Sequence, residues 1–377
     1  MPSRMGRAAS ISDYRALAKR RLPHFLFEYI DGGAYDEVTL RRNVEDLQKI
    51  ALRQRVLRDV SSIDLSTELF GQKWSLPVGL GPVGLAGLYA RRGEVQVARA
   101  AAAAGVPQIL STVSACSLRE VAGCGHVPWF QLYFVKDRAF VADLIATAKD
   151  VGCAALVLTV DLAVPGSRYR DARVAGAGLR RTASLLARPH WLWDVGIRGR
   201  PISFGNLEPI VGKRAPLADF QKWIGANFDP SVSWQDVEWV KQQWGGPLIL
   251  KGILDPDDAK QALASGVDGI VVSNHGGRQL DGALSTARAL PRVADAVGGK
   301  VPVLADGGVR SGLDVVRILA LGADFVLLGR AWAYALAACG GDGVAHVLQL
   351  IEAEMRVAMA LTGRVSIAEL TRDILDE

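Results

Sequence analysis

His275 and Arg278 lie three residues apart in the segment 273–281, SNHGGRQLD. A histidine side chain is suited to taking a proton near neutral pH, and an arginine presents a planar fork of N–H groups that fits a carboxylate. A small 2-hydroxy acid would need this pair, one residue for deprotonation and one for binding. The alternative for His275 is a structural histidine whose nitrogens are satisfied inside the fold.

Lys251 lies in a strongly apolar run, PLILKGI (247–253), with no acidic residue beside it. A buried cation at this point could stabilise negative charge on a reduced flavin ring. It could also serve as a Schiff-base lysine, or form an ion pair with Asp306 or Asp161. The residue type alone does not distinguish between these three hypotheses.

Two glycine-containing segments, DGGVR (306–310) and LLGRA (327–331), follow the last two apolar runs of the chain. Backbone N–H groups of a glycine-rich turn and an arginine fork are typical of a phosphate site. Simple tight turns are the alternative. The phosphate-binding candidates are Gly307, Gly308, Arg310, Gly329 and Arg330.

Eight apolar runs of strand length precede these groups, and each is nearly continuous, as expected for parallel strands covered on both faces. Amphipathic or alanine-rich stretches lie between them and are followed by glycines such as Gly105 and Gly245, where a helix C-cap is favoured. Eight such units predict an α/β fold, a (β/α)8 TIM barrel. A doubly wound sheet is disfavoured by the even count and by the lack of a GxGxxG motif after the first strand. The predicted strands are 76–82, 107–112, 128–134, 154–161, 247–253, 269–274, 301–306 and 324–330.

Three segments complete the organisation of what we expect to be one domain, 1–377. Residues 12–60 form an N-terminal helical extension, and the barrel occupies 74–361, ending in a helix at about 342–361. A long insert, 163–233, separates the fourth strand from its helix. A connection of that length is uncommon and usually functional, so it is predicted to form a lid.

Polar side chains stand where the predicted strands end, which is where barrel enzymes carry their chemistry. Burying such a polar group in an apolar setting costs free energy unless the group is hydrogen-bonded, ion-paired or needed for function. Because nearly every strand contributes one, coincidence is a poor explanation for the whole set. The residues are Gln131, Tyr133, Thr159, Asp161, Arg168, Lys251, Ser273, Asn274, His275, Asp306 and Arg330.

The formal net charge of +5 is unevenly distributed along the chain. The segment 163–230 holds 11 Lys/Arg and 5 Asp/Glu, a surplus of six, so the remainder carries about −1. This favours one basic surface and argues against nucleic-acid binding by the whole fold.

The four cysteines have no CxxC or zinc spacing, so we expect free thiols and no metal site. No uncharged apolar stretch reaches membrane-spanning length, and the N-terminus does not look like a secretory signal.

SNHGGRQLD, together with FQLYF, LTVD, LKGI, ADGGVR and LLGRA in the order found here, resembles the FMN-dependent 2-hydroxy-acid dehydrogenase and oxidase family. The resemblance covers about 12–369. Within the family, the segments 25–47, 82–96 and 228–239 look most like the bacterial membrane-associated, quinone-linked L-lactate dehydrogenases. Gly84 stands where oxidase members often carry Ala, which favours a dehydrogenase.

The resemblance implies a role for each matched residue. His275 would be the catalytic base, Asp161 would stabilise its charged form, and Tyr133 would contact the substrate oxygen. The substrate carboxylate would be bound by Tyr29, Arg168 and Arg278. The FMN contacts would be Pro82, Val83, Gly84, Ser111, Gln131, Thr159, Lys251, Ser273, Asp306, Gly307, Gly308, Arg310, Gly329 and Arg330.

The part of the insert at 179–204 mixes arginines with tryptophans and leucines, a composition typical of a segment at a membrane surface. The alternative is a lid whose tryptophans pack on the protein's own barrel or on another subunit. If the segment binds membranes, its deletion should release the protein from them while dye-linked turnover survives. Its members are Arg180, Arg181, Leu185, Leu186, Arg188, Trp191, Leu192, Trp193, Ile197, Arg198, Arg200 and Phe204.

Taken together, the resemblance implies FMN-dependent oxidation of L-lactate to pyruvate, with electrons passed to membrane quinone. It also implies a peripheral location on the cytoplasmic face of the inner membrane and a homotetramer. The main alternative is a soluble oxidase that reduces O₂ to peroxide. A flavin-dependent isomerase or an inosine-phosphate-type dehydrogenase would lack the set of His275, Arg278 and Arg168, and an inactive binding barrel would not need it.

Overall fold

Twelve strands and their connecting helices are seen in the computed structural model, which describes residues 8–174, 179–199, 202–212, 223 and 225–376. The strands are β1 Ala51–Leu52, β2 Thr67–Leu69, β3 Gln72–Trp74, β4 Val78–Leu80, β5 Ile109–Ser111, β6 Trp129–Leu132, β7 Leu156–Thr159, β8 Leu248–Ile253, β9 Gly269–Val272, β10 Val303–Asp306, β11 Phe325–Leu328 and β12 Leu375–Asp376.

The strands β4 to β11 form one parallel sheet in the order β4-β11-β10-β9-β8-β7-β6-β5. A parallel bridge between Leu80 and Gln108 joins the two ends, with the Leu80 N–H donating to the Pro107 carbonyl at 2.9 Å. The sheet is therefore closed as a (β/α)8 barrel, as predicted, and each of the eight predicted runs contains one barrel strand. The doubly wound alternative is wrong, because such a sheet stays open.

Helices surround the barrel and extend it at the N-terminus. They are α1 Ile11–Arg21, α2 His24–Asp31, α3 Val38–Lys49, α4 Gly93–Ala104, α5 Leu118–Ala122, α6 Arg138–Asp150, α7 Tyr169–Val174, α8 Leu179–Leu186, α9 Pro189–Trp191, α10 Glu208–Val211, α11 Trp234–Trp244, α12 Pro256–Ala264, α13 Thr286–Val297, α14 Gly312–Ala320, α15 Arg330–Cys339 and α16 Gly341–Thr362. A short 3₁₀ helix spans Ala86–Leu88, and a π-helical turn spans Leu192–Ile197.

The barrel interior is filled by side chains from its strands, including Ile109, Val157 and Phe325. At the N-terminal end, Trp129 meets Phe70 from the β2–β3 turn and Trp74 from β3 in edge-to-face contacts, with ring centroids 5.7 and 6.1 Å apart. Aromatic packing therefore closes the N-terminal end of the barrel. In barrels of this kind the catalytic groups lie at the opposite, C-terminal end.

The insert after β7 contains short helices, α7 to α10, and it packs in part on the barrel. Trp191 is buried and donates its indole N–H to the Leu88 carbonyl at 2.7 Å. Asp194 pairs with Arg21 of α1 at 3.3 Å and with Arg91 at 3.8 Å. These contacts fix the insert against the Ala86–Leu88 turn and the N-terminal helices.

Candidate active site

A cavity opens at the C-terminal ends of the barrel strands and holds about 1220 Å³ of empty space, part of it open to solvent. Of the residues singled out in the sequence, those that line it are Tyr29, Pro82, Val83, Gly84, Tyr133, Thr159, Arg168, Lys251, His275, Arg278, Asp306, Gly307, Gly308, Arg310, Gly329 and Arg330. Asp161, Ser111, Gln131 and Ser273 lie directly behind the lining and bond to it or to each other. The predicted residues thus lie either in the lining of one cavity or directly behind it.

His275 is held by Asp161 in one orientation. The His275 Nδ1 lies 2.9 Å from Asp161 Oδ1, which leaves Nε2 for a ligand. His275 has a left-handed backbone with φ 57°, uncommon for a residue with a side chain and often found at functional sites. Its backbone N–H donates to Ser273 Oγ at 3.0 Å. The geometry fits a proton-accepting imidazole rather than a histidine used up inside the fold.

The electrostatics keep the Asp161 carboxyl ionised. Burial acts to raise the pKa of Asp161, but His275 and then Lys251 outweigh it and hold the pKa below its usual value. Gly252 makes the close approach possible: it has φ 113°, and a Cβ there would lie 2.6 Å from the Asp161 Cβ. The β8–β9 register also shifts between Lys251 and Ile253.

Two arginines stack on one tyrosine at the cavity mouth. The guanidinium carbon lies 5.6 Å from the Tyr29 ring centroid in Arg168 and 4.9 Å in Arg278. Arg278 also donates to the carbonyls of Tyr29 at 2.7 Å and Gly32 at 3.0 Å. Burial and the nearby Arg278 charge lower the pKa of Arg168. Arg168 also pairs with Asp171 at 3.3 Å, and the two neighbouring cations together form a site suited to a carboxylate.

Lys251 is buried and bonded on two sides. Its Nζ donates to Ser273 Oγ at 2.8 Å and lies 3.0 Å from Asp306 Oδ2. Burial acts to lower the pKa of Lys251, but Asp306 and Asp161 raise it above its ordinary value. The ion pair considered in the sequence is present. Because the amine stays protonated, the Schiff-base reading is disfavoured, while a fixed positive charge in the cavity remains.

The glycine turn after β10 lies against α3. Gly308 has φ 85°, and a Cβ there would lie 2.0 Å from the Asn43 carbonyl oxygen, so only glycine fits. Arg310 and Gly329 line the cavity beside this turn. The Arg310 Nη1 donates to the Val309 carbonyl at 2.8 Å, and this glycine turn with its cation could hold a phosphate.

Arg330 differs from the expectation in how its donors are used. Its Nε, Nη1 and Nη2 atoms donate to the carbonyls of Ile30, Gly276 and Gly32 at 2.9, 2.8 and 2.8 Å. Burial lowers the pKa of Arg330 to about 10. The guanidinium therefore fastens α2 to the loop that carries His275. Its charge still faces the cavity, but most of its N–H groups do not.

A family model for FMN-dependent dehydrogenases matches residues 18–377. The chain belongs to that family. An L-lactate dehydrogenase of Caulobacter sp. (strain K31) is 61% identical over 372 residues, which cover 97% of this chain and 98% of that protein. The monotopic membrane protein (S)-mandelate dehydrogenase superposes with a TM-score of 0.93 at 35% identity, covering 98% of this chain and 99% of the other. A mandelate oxidase superposes with a TM-score of 0.85 at 38% identity and 98% coverage of both chains.

Membership in the FMN-dependent dehydrogenase family makes the protein an oxidoreductase with FMN as its cofactor, as the sequence predicted. The cavity has features that fit FMN. Thr159 Oγ1 and Gln131 Nε2 are buried without a hydrogen-bond partner among the described residues, so polar ligand atoms could satisfy them. Apolar side chains such as Val113, Leu327 and Leu328 offer a wall for an aromatic ring system.

Two residues at or near the cavity, Tyr89 and Asn43, were missed in the sequence. Tyr89 is fully buried and donates its hydroxyl to the Gly84 carbonyl at 3.0 Å, while the Leu85 N–H donates to the Val113 carbonyl at 3.0 Å. The peptide between Gly84 and Leu85 is thus fixed on both sides. Asn43 exchanges two side-chain hydrogen bonds of 2.8 and 2.7 Å with the predicted Asn274, beside His275. The sequence gave no sign of either residue. Tyr89 follows a short 3₁₀ helix and Asn43 lies in the distant helix α3, and no periodic pattern marks either position as part of the site.

The described side chains of the segment 179–204 divide between the two alternatives considered in the sequence, packing on the barrel and exposure at a surface. Trp191 and Phe204 are buried, and Leu185 and Leu192 pack partly on the core. By contrast, Leu186, Trp193 and Ile197 are 67%, 59% and 52% exposed, and Arg198 beside them is exposed. The side chains of Arg180 and Arg181, and all of Arg200, lie outside the described residues. Within the described part, no helix has the length and apolarity to cross a bilayer.

Proposed function

We propose that this protein oxidises L-lactate to pyruvate, with FMN as the first electron acceptor and membrane quinone as the second. The observation that carries the proposal is the convergence of the His275–Asp161 pair, the Arg168–Tyr29–Arg278 stack and Lys251 on one cavity. A base, a carboxylate clamp and a fixed cation are what oxidation of a 2-hydroxy acid requires.

The residues act by binding, orienting and moving one proton. Arg168 and Arg278 bind the carboxylate, and both guanidinium groups contact the Tyr29 ring, which helps to orient them. His275 Nε2 takes a proton from the substrate, and Asp161 stabilises the resulting imidazolium. Bound FMN would supply the acceptor for the two electrons and the second hydrogen that leave the substrate. Tyr133, whose burial raises its pKa so that the phenol stays protonated, can donate to the substrate oxygen.

We propose that FMN is held by the remaining predicted residues. The backbone at 82–84 would face the ring, Lys251 would compensate negative charge on it, and Gln131, Thr159 and Ser111 would accept or donate hydrogen bonds at its polar edge. Ser273, Asp306, Gly307, Gly308 and Arg310 hold the ribityl and phosphate groups, with Gly329 and the charge of Arg330 beside the phosphate. This assignment is supported by the cavity lining and by the unpaired buried atoms.

L-lactate is the preferred substrate in this proposal because the 61% identical relative is an L-lactate dehydrogenase. The solved neighbours act on mandelate at lower identity. Apolar side chains at the mouth, Val113, Leu162 and Phe228, suit a short aliphatic substituent.

A membrane quinone is supported as the second acceptor by the exposed triad of Leu186, Trp193 and Ile197, which we call the apolar triad, next to Arg198. Tryptophan with aliphatic and basic neighbours is typical of a monotopic contact. We therefore propose a peripheral membrane location. The cytoplasmic face of the inner membrane and a homotetramer are proposed from the family resemblance alone. The competing function is a soluble oxidase, favoured by the likeness to a mandelate oxidase.

The test is an anaerobic substrate panel followed by reoxidation. Purified holoenzyme is mixed with L-lactate, D-lactate, glycolate or (S)-mandelate, and bleaching of the flavin absorbance is followed. Bleaching should be fastest with L-lactate, and a ubiquinone analogue should restore the absorbance faster than air does. If no 2-hydroxy acid bleaches the flavin, the proposed reaction is wrong. Stoichiometric peroxide in the presence of both acceptors would instead favour the oxidase.

A further inference from the structure

Arg170 connects the start of the insert to the N-terminal segment through three carboxylates. Its Nη1 lies 3.3 Å from Glu28 Oε2 and 2.9 Å from Asp31 Oδ2, and its Nη2 lies 2.7 Å from Glu37 Oε2. The residue stands two positions after Arg168. One guanidinium therefore bridges α7, which follows Arg168, and α2, which carries Tyr29.

The acceptor side of this bridge is rigid. Asp31 is 4% exposed and also receives Arg15 Nη2 at 2.8 Å and the Tyr334 hydroxyl at 2.8 Å. Arg15 comes from α1 and Tyr334 from α15, so Asp31 is anchored to the body of the protein. A donor that binds Asp31 is consequently anchored as well.

Two further contacts join the start of the insert to the N-terminal segment. The Tyr35 N–H donates to the Ser167 carbonyl at 2.7 Å, and the rings of Tyr35 and Tyr169 meet edge-on with centroids 5.7 Å apart. The residues on both sides of Arg168 are thus joined to the N-terminal segment. Among these contacts, only the Arg170 bridge spans three charged groups.

Among the described residues, Arg168 has few contacts of its own. It pairs with Asp171 at 3.3 Å and interacts with Tyr29, whose ring centroid lies 5.6 Å from the guanidinium carbon. It also lies close enough to the Arg278 guanidinium for the two positive charges to repel each other. Without a tie to α2, repulsion favours an open position for Arg168 until a carboxylate binds.

We propose that Arg170 is a positioning residue, which holds Arg168 against Tyr29 and so sets the affinity for the substrate carboxylate. This inference rests on the proposed function, in which Arg168 binds that carboxylate. Preorganisation of this kind lowers the entropic cost of binding and leaves the chemical step to other groups. Loss of Arg170 should therefore raise the dissociation constant of the substrate and change the rate of bleaching at saturation little.

The experiment compares Arg170→Lys and Arg170→Met with Arg15→Met, a matched control that removes a partner of the same Asp31 without touching the insert. Anaerobic stopped-flow bleaching with L-lactate gives the dissociation constant and the limiting rate for each holoenzyme. The Arg170 variants should bind L-lactate about tenfold more weakly, with limiting rates within about threefold of wild type and unchanged FMN content. Arg15→Met should keep the wild-type constant, because Tyr334 still anchors Asp31 in that variant.

The lysine variant keeps the test decisive if Arg170→Met does not fold, because lysine retains the charge but cannot bridge three carboxylates. A wild-type constant in Arg170→Lys overturns the proposal, and so does an equal weakening in Arg15→Met. If wild type is not bleached by any 2-hydroxy acid, the proposed function fails separately. The positioning role is then decided by titrating oxalate against the flavin spectrum in the same variants, with the same tenfold shift expected.

Discussion

His275 can act as a base only if its ring is held with one nitrogen towards the cavity. Asp161 does this through Nδ1, and Gly252 leaves the space for Asp161 to stand there. The residue types were visible in the sequence, but the spacing of 114 positions between the partners was not informative by itself. What predicted their meeting was the rule that parallel strands of a barrel end on one face.

The Asp161→Asn variant should bind FMN normally and lose most of its reductive rate. An amide cannot stabilise an imidazolium as a carboxylate does, and it can select the wrong tautomer of His275. We expect a loss in limiting bleaching rate of about 10²- to 10⁴-fold, by analogy with other histidine–carboxylate pairs. Anaerobic stopped-flow measures it. A rate within a few-fold of wild type would show that Asp161 is only structural.

The Gly84→Ala variant should disturb the cavity wall through Val113. An added Cβ would lie 2.9 Å from Val113 Cγ2, so the turn or the valine must move. Overpacking of this kind typically costs about 1–3 kcal/mol, and we expect weaker FMN binding, measured from the fluorescence of released flavin. The double variant Gly84→Ala with Val113→Ala should recover the wild-type dissociation constant, and Val113→Ala alone is the control. No recovery in the double variant would contradict this account.

At the scale of elements, the barrel strands were predictable and the docking of the insert was not. Strands are continuous apolar runs, so local composition gives their type and order. Whether Trp191 or Trp193 faces the barrel depends on tertiary contacts such as the bond from Trp191 to the Leu88 carbonyl. The roles of Tyr89 and Arg170 depend on the same docking, and the sequence pattern gave no sign of either.

The apolar triad provides the element-scale test of membrane contact. Replacing Leu186, Trp193 and Ile197 with Ser should abolish co-sedimentation with vesicles that contain anionic lipid, because each buried apolar group and adjacent cation adds to binding. Deleting 179–204 is a poorer test, since it also removes the buried Trp191 and Phe204. L-lactate bleaching should be unchanged.

A control for surface apolarity is available on another segment. Val56 and Leu57 are 72% and 101% exposed, and their replacement with Ser should leave vesicle binding as in wild type. Vesicle binding that survives in the triad variant would exclude this surface as the membrane contact. Equal loss in both variants would point to general apolar adhesion.

At the scale of the molecule, one end of the barrel is closed by stabilising packing and the other end carries the chemical groups. Trp129 and its aromatic partners close one end, while the charged groups gather at the other. The surplus of positive charge between 163 and 230 lies in the segment that supplies Arg168 and Arg170 to the site. The charge pattern therefore marks the segment that supplies Arg168 to the cavity.

Asp31 should make the stability of the whole protein depend on acid pH. Burial acts to raise its pKa, but Arg15, Tyr334 and Arg170 lower it from 3.8 to about 2. Because the folded-state pKa is the lower one, the carboxylate stabilises the fold above about pH 4, by about 2 kcal/mol, and the contribution is lost as the pH falls towards 2. The difference in unfolding free energy between wild type and Asp31→Asn should shrink between pH 7 and pH 3 in denaturant titrations. A difference that does not change with pH would contradict this assignment.

The account as a whole depends on a base and two arginines acting on one substrate beside FMN. The most direct measurement is anaerobic bleaching of the flavin by L-lactate in the His275→Gln holoenzyme. The variant should retain FMN, with the wild-type flavin spectrum, and should fail to bleach over times at which wild type is fully reduced. Bleaching at the wild-type rate would remove His275 from the reaction and contradict the central claim.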